Sequence, residues 1–411
     1  MGIWGKVKKI DGKYEVTSGI IENLKNQIQE GNLKELDKFW GKVEKEGAPL
    51  LEKIKDNHNE MLVTFLFREN EGAENVVVVG SVPGYKYKEN TMMKLLNSDL
   101  WYKSYVVRND VKFRYRFSVN DTFDDDYEKR SKKMIPDPLN PKTFIYVGDE
   151  DNEEVVDSLF EMPMVKDEKW VKERCIDKKG KIELVRFESN TLGGKRRLWI
   201  YTPIGYEKES VPCNLVVLTD GFNYTNVMSG KNVFDNLIYD KKVEPFVTVM
   251  IDTSSDDRYK ELTCSDIMSD FICGELMKWI RENYNVTNDP AKTTIGGLSL
   301  GGLMAAYVAL KHSDVFGNAL CQSGSFWWEE EWLTHEYEKE EKLPVKFYLN
   351  VGVLEDRPYD IEPTMMDVIN RMRDVLINKG YEVYYEQFQS GHDFLYWGET
   401  LGNGLISLIG K

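Results

Sequence analysis

Between Ser18 and Lys55 the apolar residues Ile21, Leu24, Ile28, Leu33, Leu36, Phe39, Trp40 and Val43 recur at steps of three and four among lysines and glutamates. That is the period of a helix with one buried face, and the pair Gly31-Asn32 divides the run into two short helices. From Met61 the period falls to two. Met61–Arg68, Asn75–Gly80, Leu100–Val107 and Val111–Phe117 are short runs rich in valine and aromatics, and the last alternates strictly. Short strands separated by turn residues predict an antiparallel β-sandwich. Asp137-Pro138-Leu139-Asn140-Pro141 interrupts regular structure, because proline fixes φ and lacks a donor. A stretch dense in charge then runs to about Gly180.

From Ile182 the pattern changes again, to strands alternating with helices. Strands are expected at Ile182–Phe187, Arg197–Thr202, Leu215–Leu218, Phe246–Ile251, Thr293–Ile295, Ala319–Gln322, Val345–Val351 and Val383–Gln387, with helices at Asp266–Asn283 and Gly302–His312 among them. This order predicts an α/β fold, a doubly wound and mostly parallel sheet that begins with an antiparallel hairpin. At 411 residues the chain exceeds one ordinary core. The expected organisation is a helical segment at 1–60, a β-sandwich domain at 61–150, a linker at 151–181 and the α/β domain at 182–411.

The chemistry is concentrated in Thr293-Thr294-Ile295-Gly296-Gly297-Leu298-Ser299-Leu300-Gly301-Gly302. Gly297, Ser299 and Gly301 form G-x-S-x-G between an apolar strand and an alanine-rich helix. In that setting the motif is a nucleophile elbow, whose turn is so sharp that the positions two before and two after the serine must be small. The C-terminal domain is thus expected to be an α/β-hydrolase domain with Ser299 as nucleophile. Of the four histidines, His392 lies in Ser390-Gly391-His392-Asp393, after the last expected strand and before the last helix. The chain order Ser…acid…His places the general base there. The acid should follow the strand ending near Val351, where Glu355 leads, Asp356 is close behind and Asp360 is a further candidate; a Ser-His pair without a strong third partner is the other arrangement. Oxyanion donors are expected at the N–H of Leu300 and, from the loop Thr219-Asp220-Gly221-Phe222-Asn223, at that of Phe222. Asp220 itself is read as a loop carboxylate bound to local backbone.

Charge and composition narrow the partners. A net charge of -15 argues against nucleic acid or an anionic membrane. Five scattered cysteines without C-x-x-C spacing fit reduced thiols, and no clustered ligand set suggests a protein metal site, so no cofactor is expected. Met1–Lys9 has no apolar core of the signal-peptide kind, and Lys6 stands where N-myristoylation needs serine or threonine. A cytoplasmic protein acting on a small-molecule ester is expected.

Several strings resemble the enterochelin (enterobactin) esterase family over most of the chain. They are Val63-Thr64-Phe65-Leu66, Asp137-Pro138-Leu139-Asn140-Pro141, Arg196-Arg197-Leu198-Trp199-Ile200, Arg258-Tyr259-Lys260-Glu261-Leu262, Gln322-Ser323-Gly324-Ser325-Phe326-Trp327-Trp328 and Gly391-His392-Asp393. The resemblance implies a β-sandwich domain ahead of the esterase domain. It also implies hydrolysis of the serine ester bonds of a cyclic trilactone catecholate siderophore, whose iron is released in the cytoplasm. Ser299 and His392 carry over as catalytic, and the acidic position near Glu355 matches in general form. Arg258 looks like the family's arginine that meets an anionic catecholate; the alternative is a structural ion pair, with Glu261 as a partner. Trp327 and Trp328 are either an aromatic wall for catechol rings or core packing. The rival enzymatic reading is a carbohydrate esterase acting on feruloyl or acetyl groups of plant-derived sugars. A noncatalytic binding protein on a hydrolase scaffold is the third.

Overall fold

The computed structural model describes residues 6–10, 13–70, 72–82, 87–150, 153–208, 211–253, 257–356 and 363–411. They form two compact units, the first drawn from Met1–Lys166 together with Gln389–Asp393, the second from Asp167–Asp356, Pro363–Phe388 and Phe394–Lys411.

The first unit holds β1 (Lys6–Ile10), β2 (Lys13–Thr17), β3 (Leu50–Ile54), β4 (Asn57–Arg68), β5 (Val76–Gly80), β6 (Met93–Lys94), β7 (Leu100–Arg108), β8 (Lys112–Val119), β9 (Thr143–Tyr146) and β10 (Val155–Glu161). Two four-stranded sheets, ordered β3-β4-β7-β6 and β5-β8-β10-β9, make the sandwich, and β1 and β2 form a separate hairpin. Its core is aromatic. The Phe65 ring of β4 lies 4.8 Å from that of Tyr115 on β8, and Phe67 lies 5.6 Å from Phe117. The next position along β4, Leu66, joins Ile21, Leu24, Trp40 and Val43 in a cluster under the two helices Gly19–Gln29 and Lys34–Glu46. Both faces of β4 are therefore covered, which explains why its sequence is a continuous apolar run. Ser18 caps the first helix by accepting from the Ile21 N–H.

Three stretches differ from the sequence reading. The helical pattern does not reach Lys55, because Leu50–Ile54 pairs with β4 as a strand and its buried Glu52 accepts from the Ser18 hydroxyl at 2.5 Å and the Ile20 N–H at 3.1 Å. The hairpin of β1 and β2 precedes the helices in the segment read as helical. Within the stretch read as linker, Val155–Glu161 pairs with β8 and β9. Asp157, nearly buried there, accepts from both Arg114 and Arg116, so a charge-rich segment is half of an ion-paired sheet face.

The second unit carries one eight-stranded sheet built from β11 (Lys181–Ser189), β12 (Gly194–Thr202), β13 (Asn214–Leu218), β14 (Phe246–Ile251), β15 (Thr293–Leu298), β16 (Asn318–Gln322), β17 (Lys346–Gly352) and β18 (Glu382–Phe388). The order is β11-β12-β14-β13-β15-β16-β17-β18. The first two pairings are antiparallel and the rest parallel, as the alternating pattern predicts. Alternate residues of each strand serve opposite cores. Leu215 and Val217 pack under the helices around Phe271, Leu303 and Ile369, whereas Val216 and Leu218 pack with Phe234, Trp397 and Leu401. Such two-sided burial is what a doubly wound sheet requires. The expected helix at 266–283 is present, with Phe271–Leu276 wound as a π-turn between Asp266–Asp270 and Met277–Asn283.

Candidate active site

Ser299 stands at the carboxyl end of β15, one residue before the helix Leu300–Lys311. Its backbone has φ 56° and ψ -119°, a conformation that costs an L-residue on the order of 1–3 kcal/mol and is kept where surrounding structure imposes it. The flanking glycines are obligatory here. A Cβ on Gly297 would lie 2.3 Å from Thr219 Oγ1, and one on Gly301 would lie 2.2 Å from the same atom and 2.5 Å from Asp220 Oδ2. The turn thus closes against the end of β13, and Ser299 is left half-buried.

The loop after β16 grips this elbow. The Ser299 N–H donates to the Gln322 carbonyl at 2.8 Å, the Ser325 N–H donates to the Ser299 carbonyl at 3.0 Å, and the two hydroxyls stand 3.2 Å apart. Two residues earlier in the same loop, the Ser323 hydroxyl donates to Glu355 Oε2 at 2.8 Å, which also accepts from the Gly352 N–H at 2.6 Å. Trp397 Nε1 donates in turn to Ser323 Oγ at 3.1 Å. Glu355 is 1% exposed, whereas Asp356 points to solvent; Asp360 lies outside the described residues. Sequence reasoning singled out neither Ser323 nor Ser325. Their signal is a run of small polar residues directly after an apolar strand.

His392 is half-buried, in a segment that belongs to the first unit. Its neighbours are held there by hydrogen bonds. The Lys112 N–H donates to the Gln389 carbonyl at 3.1 Å, and the Ser390 hydroxyl donates to the Lys112 carbonyl at 2.8 Å. The Asp393 carboxylate accepts from Ser390 Oγ at 3.1 Å and from Ser81 Oγ at 3.4 Å. His58 and His335 are exposed, and His312 caps the far end of the helix that starts after Ser299.

Leu300 is the first residue of its helix, and Phe222 lies in the first turn after Asp220, before the π-turn Asn223–Val227. N–H groups at such positions have no intrahelical acceptor and are available to a developing anion. Tyr224, in the same turn as Phe222, donates to Gln322 Oε1 at 2.7 Å, so the end of β16 also ties down the turn that carries Phe222.

Arg258 has a partner other than the one expected. Its Nε donates to Asp220 Oδ1 at 2.7 Å and its Nη2 to the Leu298 carbonyl at 3.4 Å. Glu261 is instead bound by Arg196 at 2.5 Å. Asp220 is fully buried at φ 57° and also accepts from the hydroxyls of Thr219 and Thr253, so it is more than a loop carboxylate bound to local backbone. Of the two tryptophans, Trp327 is 42% exposed, while Trp328 packs against the core and stacks edge-on with Trp332 at 6.0 Å.

Comparison with known proteins agrees with this geometry. The esterase family described as "Putative esterase" matches residues 189–408, and the family "Enterochelin esterase, N-terminal" matches residues 62–171. The iron(III) enterobactin esterase of Dickeya dadantii is 23% identical over 95% of this chain and 96% of its own. The iron(III) salmochelin esterase of Escherichia coli is 24% identical over 95% and 98%. The enterobactin esterase of Shigella flexneri, solved in the presence of enterobactin, shares the fold with a TM-score of 0.69 and 24% identity, over 88% of this chain and 96% of its own. An α/β-hydrolase unit with a serine at its elbow, preceded by the region typical of enterochelin esterases, makes this chain a member of the enterochelin esterase family.

Proposed function

We propose that this ester hydrolase cleaves the serine ester bonds of an enterobactin-like trilactone catecholate siderophore, with Ser299 as nucleophile, His392 as general base and Glu355 as the acid that orients the base. The observation that carries the reading is the Ser299 elbow, held in a conformation that two glycines and the loop after β16 impose. On this reading Ser299 Oγ attacks the ester carbonyl as its proton passes to His392 Nε2. The carbonyl oxygen takes up negative charge and is held by the N–H groups of Leu300 and Phe222. Collapse of the tetrahedral intermediate breaks the C–O bond, and the departing serine hydroxyl of the siderophore takes the proton back from His392. Water, deprotonated by the same base, then releases the acyl group from Ser299.

For substrate contact, exposed Trp327 is the better placed tryptophan to stack on a catechol ring, and the partly exposed Arg258 guanidinium is the cation for its oxygens. Iron enters as cargo held by the siderophore. Among the described residues, no helix is long and apolar enough to cross a membrane, and the reaction is assigned to the cytoplasm. What favours a siderophore over a feruloyl or acetyl sugar is the N-terminal region, which matches the N-terminal family of enterochelin esterases.

The test is chromatography of enterobactin, with and without iron, after incubation with the purified chain. Linear trimer should appear first, then dimer and monomer of dihydroxybenzoylserine. An intact trilactone beside rapid cleavage of feruloyl arabinose or an acetylated sugar would overturn the substrate assignment.

A further inference from the structure

We propose that Ser325 is a catalytic residue, whose hydroxyl donates to Ser299 Oγ and stabilises the charge that gathers on that oxygen whenever its proton is away. The inference rests on Ser299 being the nucleophile and adds a second hydroxyl to its chemistry.

Ser325 is 1% exposed. Among the described residues its hydroxyl has one hydrogen-bond partner, Ser299 Oγ at 3.2 Å. A buried hydroxyl that fails to donate carries a desolvation penalty, so the proton of Ser325 points at Ser299. The proton of Ser299 is thereby directed elsewhere, and its natural acceptor is the base. The arrangement is rigid. The Ser325 N–H is bonded to the Ser299 carbonyl at 3.0 Å and the Ser325 carbonyl accepts from the Trp328 N–H at 3.2 Å. Upstream, Ser323 sits at φ 43° with its hydroxyl on Glu355. A single turn therefore presents one hydroxyl to the acid and another to the nucleophile.

At 3.2 Å the bond is long for O–H···O, and it strengthens as its acceptor becomes charged. In acylation, Oγ carries that charge from the moment its proton leaves for His392 until the Oγ–C bond is complete. In deacylation the Oγ–C bond breaks and the electron pair returns to Oγ before the proton does. Ser325 acts at both moments, and on Ser299 rather than on the carbonyl oxygen that Leu300 and Phe222 serve. Its contribution is thus independent of what ester is bound.

Ser325→Ala removes the donor and nothing else of size. Three quantities are measured: kcat and KM on p-nitrophenyl acetate, the rate at which a fluorophosphonate labels Ser299, and the melting temperature. The expected result is a loss of roughly 10- to 100-fold in kcat and in labelling rate, with KM within about twofold and melting unchanged. Ser325→Cys, which keeps the size and a weaker donor, should fall between wild type and alanine in both rates. Labelling within twofold of wild type in Ser325→Ala would overturn the proposal. So would a fall in kcat without a matching fall in labelling, because the loss would then lie away from the nucleophile. Ser299→Ala is the control for the underlying assignment: if it labels like wild type, the nucleophile is wrong, whereas failure of Ser325→Ala alone removes only this inference.

Discussion

Arg258 Nε donates to Asp220 Oδ1 at 2.7 Å, and the carboxylate it meets is fully buried. Asp220 lies two residues before Phe222, and the other end of the guanidinium reaches the carbonyl of Leu298, the residue before Ser299. Arg258 thus straps together the ends of the two strands that precede Phe222 and Ser299, where the oxyanion donors are proposed, whatever it also does for a substrate. Much of its charge is already matched, so its effect on an anionic ligand comes on top of a structural one. Arg258→Ala should lower kcat on an uncharged ester as well as on the siderophore, because it leaves Asp220 unpaired at a cost on the order of 3 kcal/mol. Asp220→Asn should reproduce the loss on the uncharged ester. Only Arg258→Ala should add a rise in KM for the catecholate. If the two variants change that KM equally, the arginine makes no contact with the substrate.

Glu355 and Asp356 are neighbours with opposite surroundings. Glu355 is buried, with Oε2 held by Ser323 and Gly352, and Asp356 faces solvent. A triad acid must be fixed if it is to hold the histidine in one tautomer. Glu355→Gln should reduce kcat steeply, toward the roughly 10⁴-fold known for loss of a triad carboxylate. Asp356→Asn should stay within about twofold of wild type. Steady-state kinetics on p-nitrophenyl butyrate decide it, and a larger loss in Asp356→Asn would move the acid by one residue.

Asp137, in the Asp137–Pro141 string, serves the first unit. It accepts from the Tyr115 hydroxyl at 2.7 Å and the Leu139 N–H at 2.8 Å. Burial nevertheless pushes its carboxyl up to about 6, against the pull of those two donors. A carboxyl raised in the folded state binds its proton more tightly there than in the unfolded chain. Its stabilising contribution is therefore full below about pH 4 and is lost as pH rises through 6. Over that window the group accounts for about 3 kcal/mol. In urea unfolding followed by amide exchange at Phe113 and Phe117, Asp137→Asn should lose less stability than wild type between pH 4 and pH 7. Parallel pH curves for the two proteins would show that Asp137 does not titrate in this range.

Much of this was legible in the sequence because burial left a pattern. Every strand of the second unit's sheet was expected within a few residues, since a doubly wound sheet needs apolar runs of strand length separated by helices. The elbow was legible because its glycines are forced by contacts with Thr219, Asp220 and the turn itself. What escaped were elements stabilised by polar pairing. Val155–Glu161 reads as linker because its inward Asp157 is charged, and only the two arginines across the sheet make that carboxylate a strand residue. Leu50–Ile54 hid in the same way, behind Glu52. The separation of Trp327 from Trp328 was equally out of reach, because adjacent aromatics look alike until a helix and a core choose between them. Ser323 and Ser325 have no periodic signature at all. Their importance comes from a turn that meets Glu355 and Ser299, two residues far apart in the chain.

The assignment of Ser299 and His392 makes a prediction about additivity. If the two act as a unit, either one alone should account for nearly all the loss, because a nucleophile without its base and a base without its nucleophile are equally idle. Ser299→Ala and His392→Ala should each abolish measurable turnover of p-nitrophenyl butyrate, and the double variant should be no worse than either. Binding should survive in all three, since neither side chain is needed to hold the ester. The hydrogen bonds that fix the histidine's segment come from Ser390, Asp393 and Lys112 backbone groups or side chains that these variants leave in place, so melting temperatures should change little. A labelling experiment separates the roles further. A fluorophosphonate should modify Ser299 in wild type, slowly in His392→Ala, and not at all in Ser299→Ala. Retention of more than about a tenth of wild-type kcat in either single variant would remove that residue from the mechanism, and multiplicative losses in the double variant would mean that the two residues act independently.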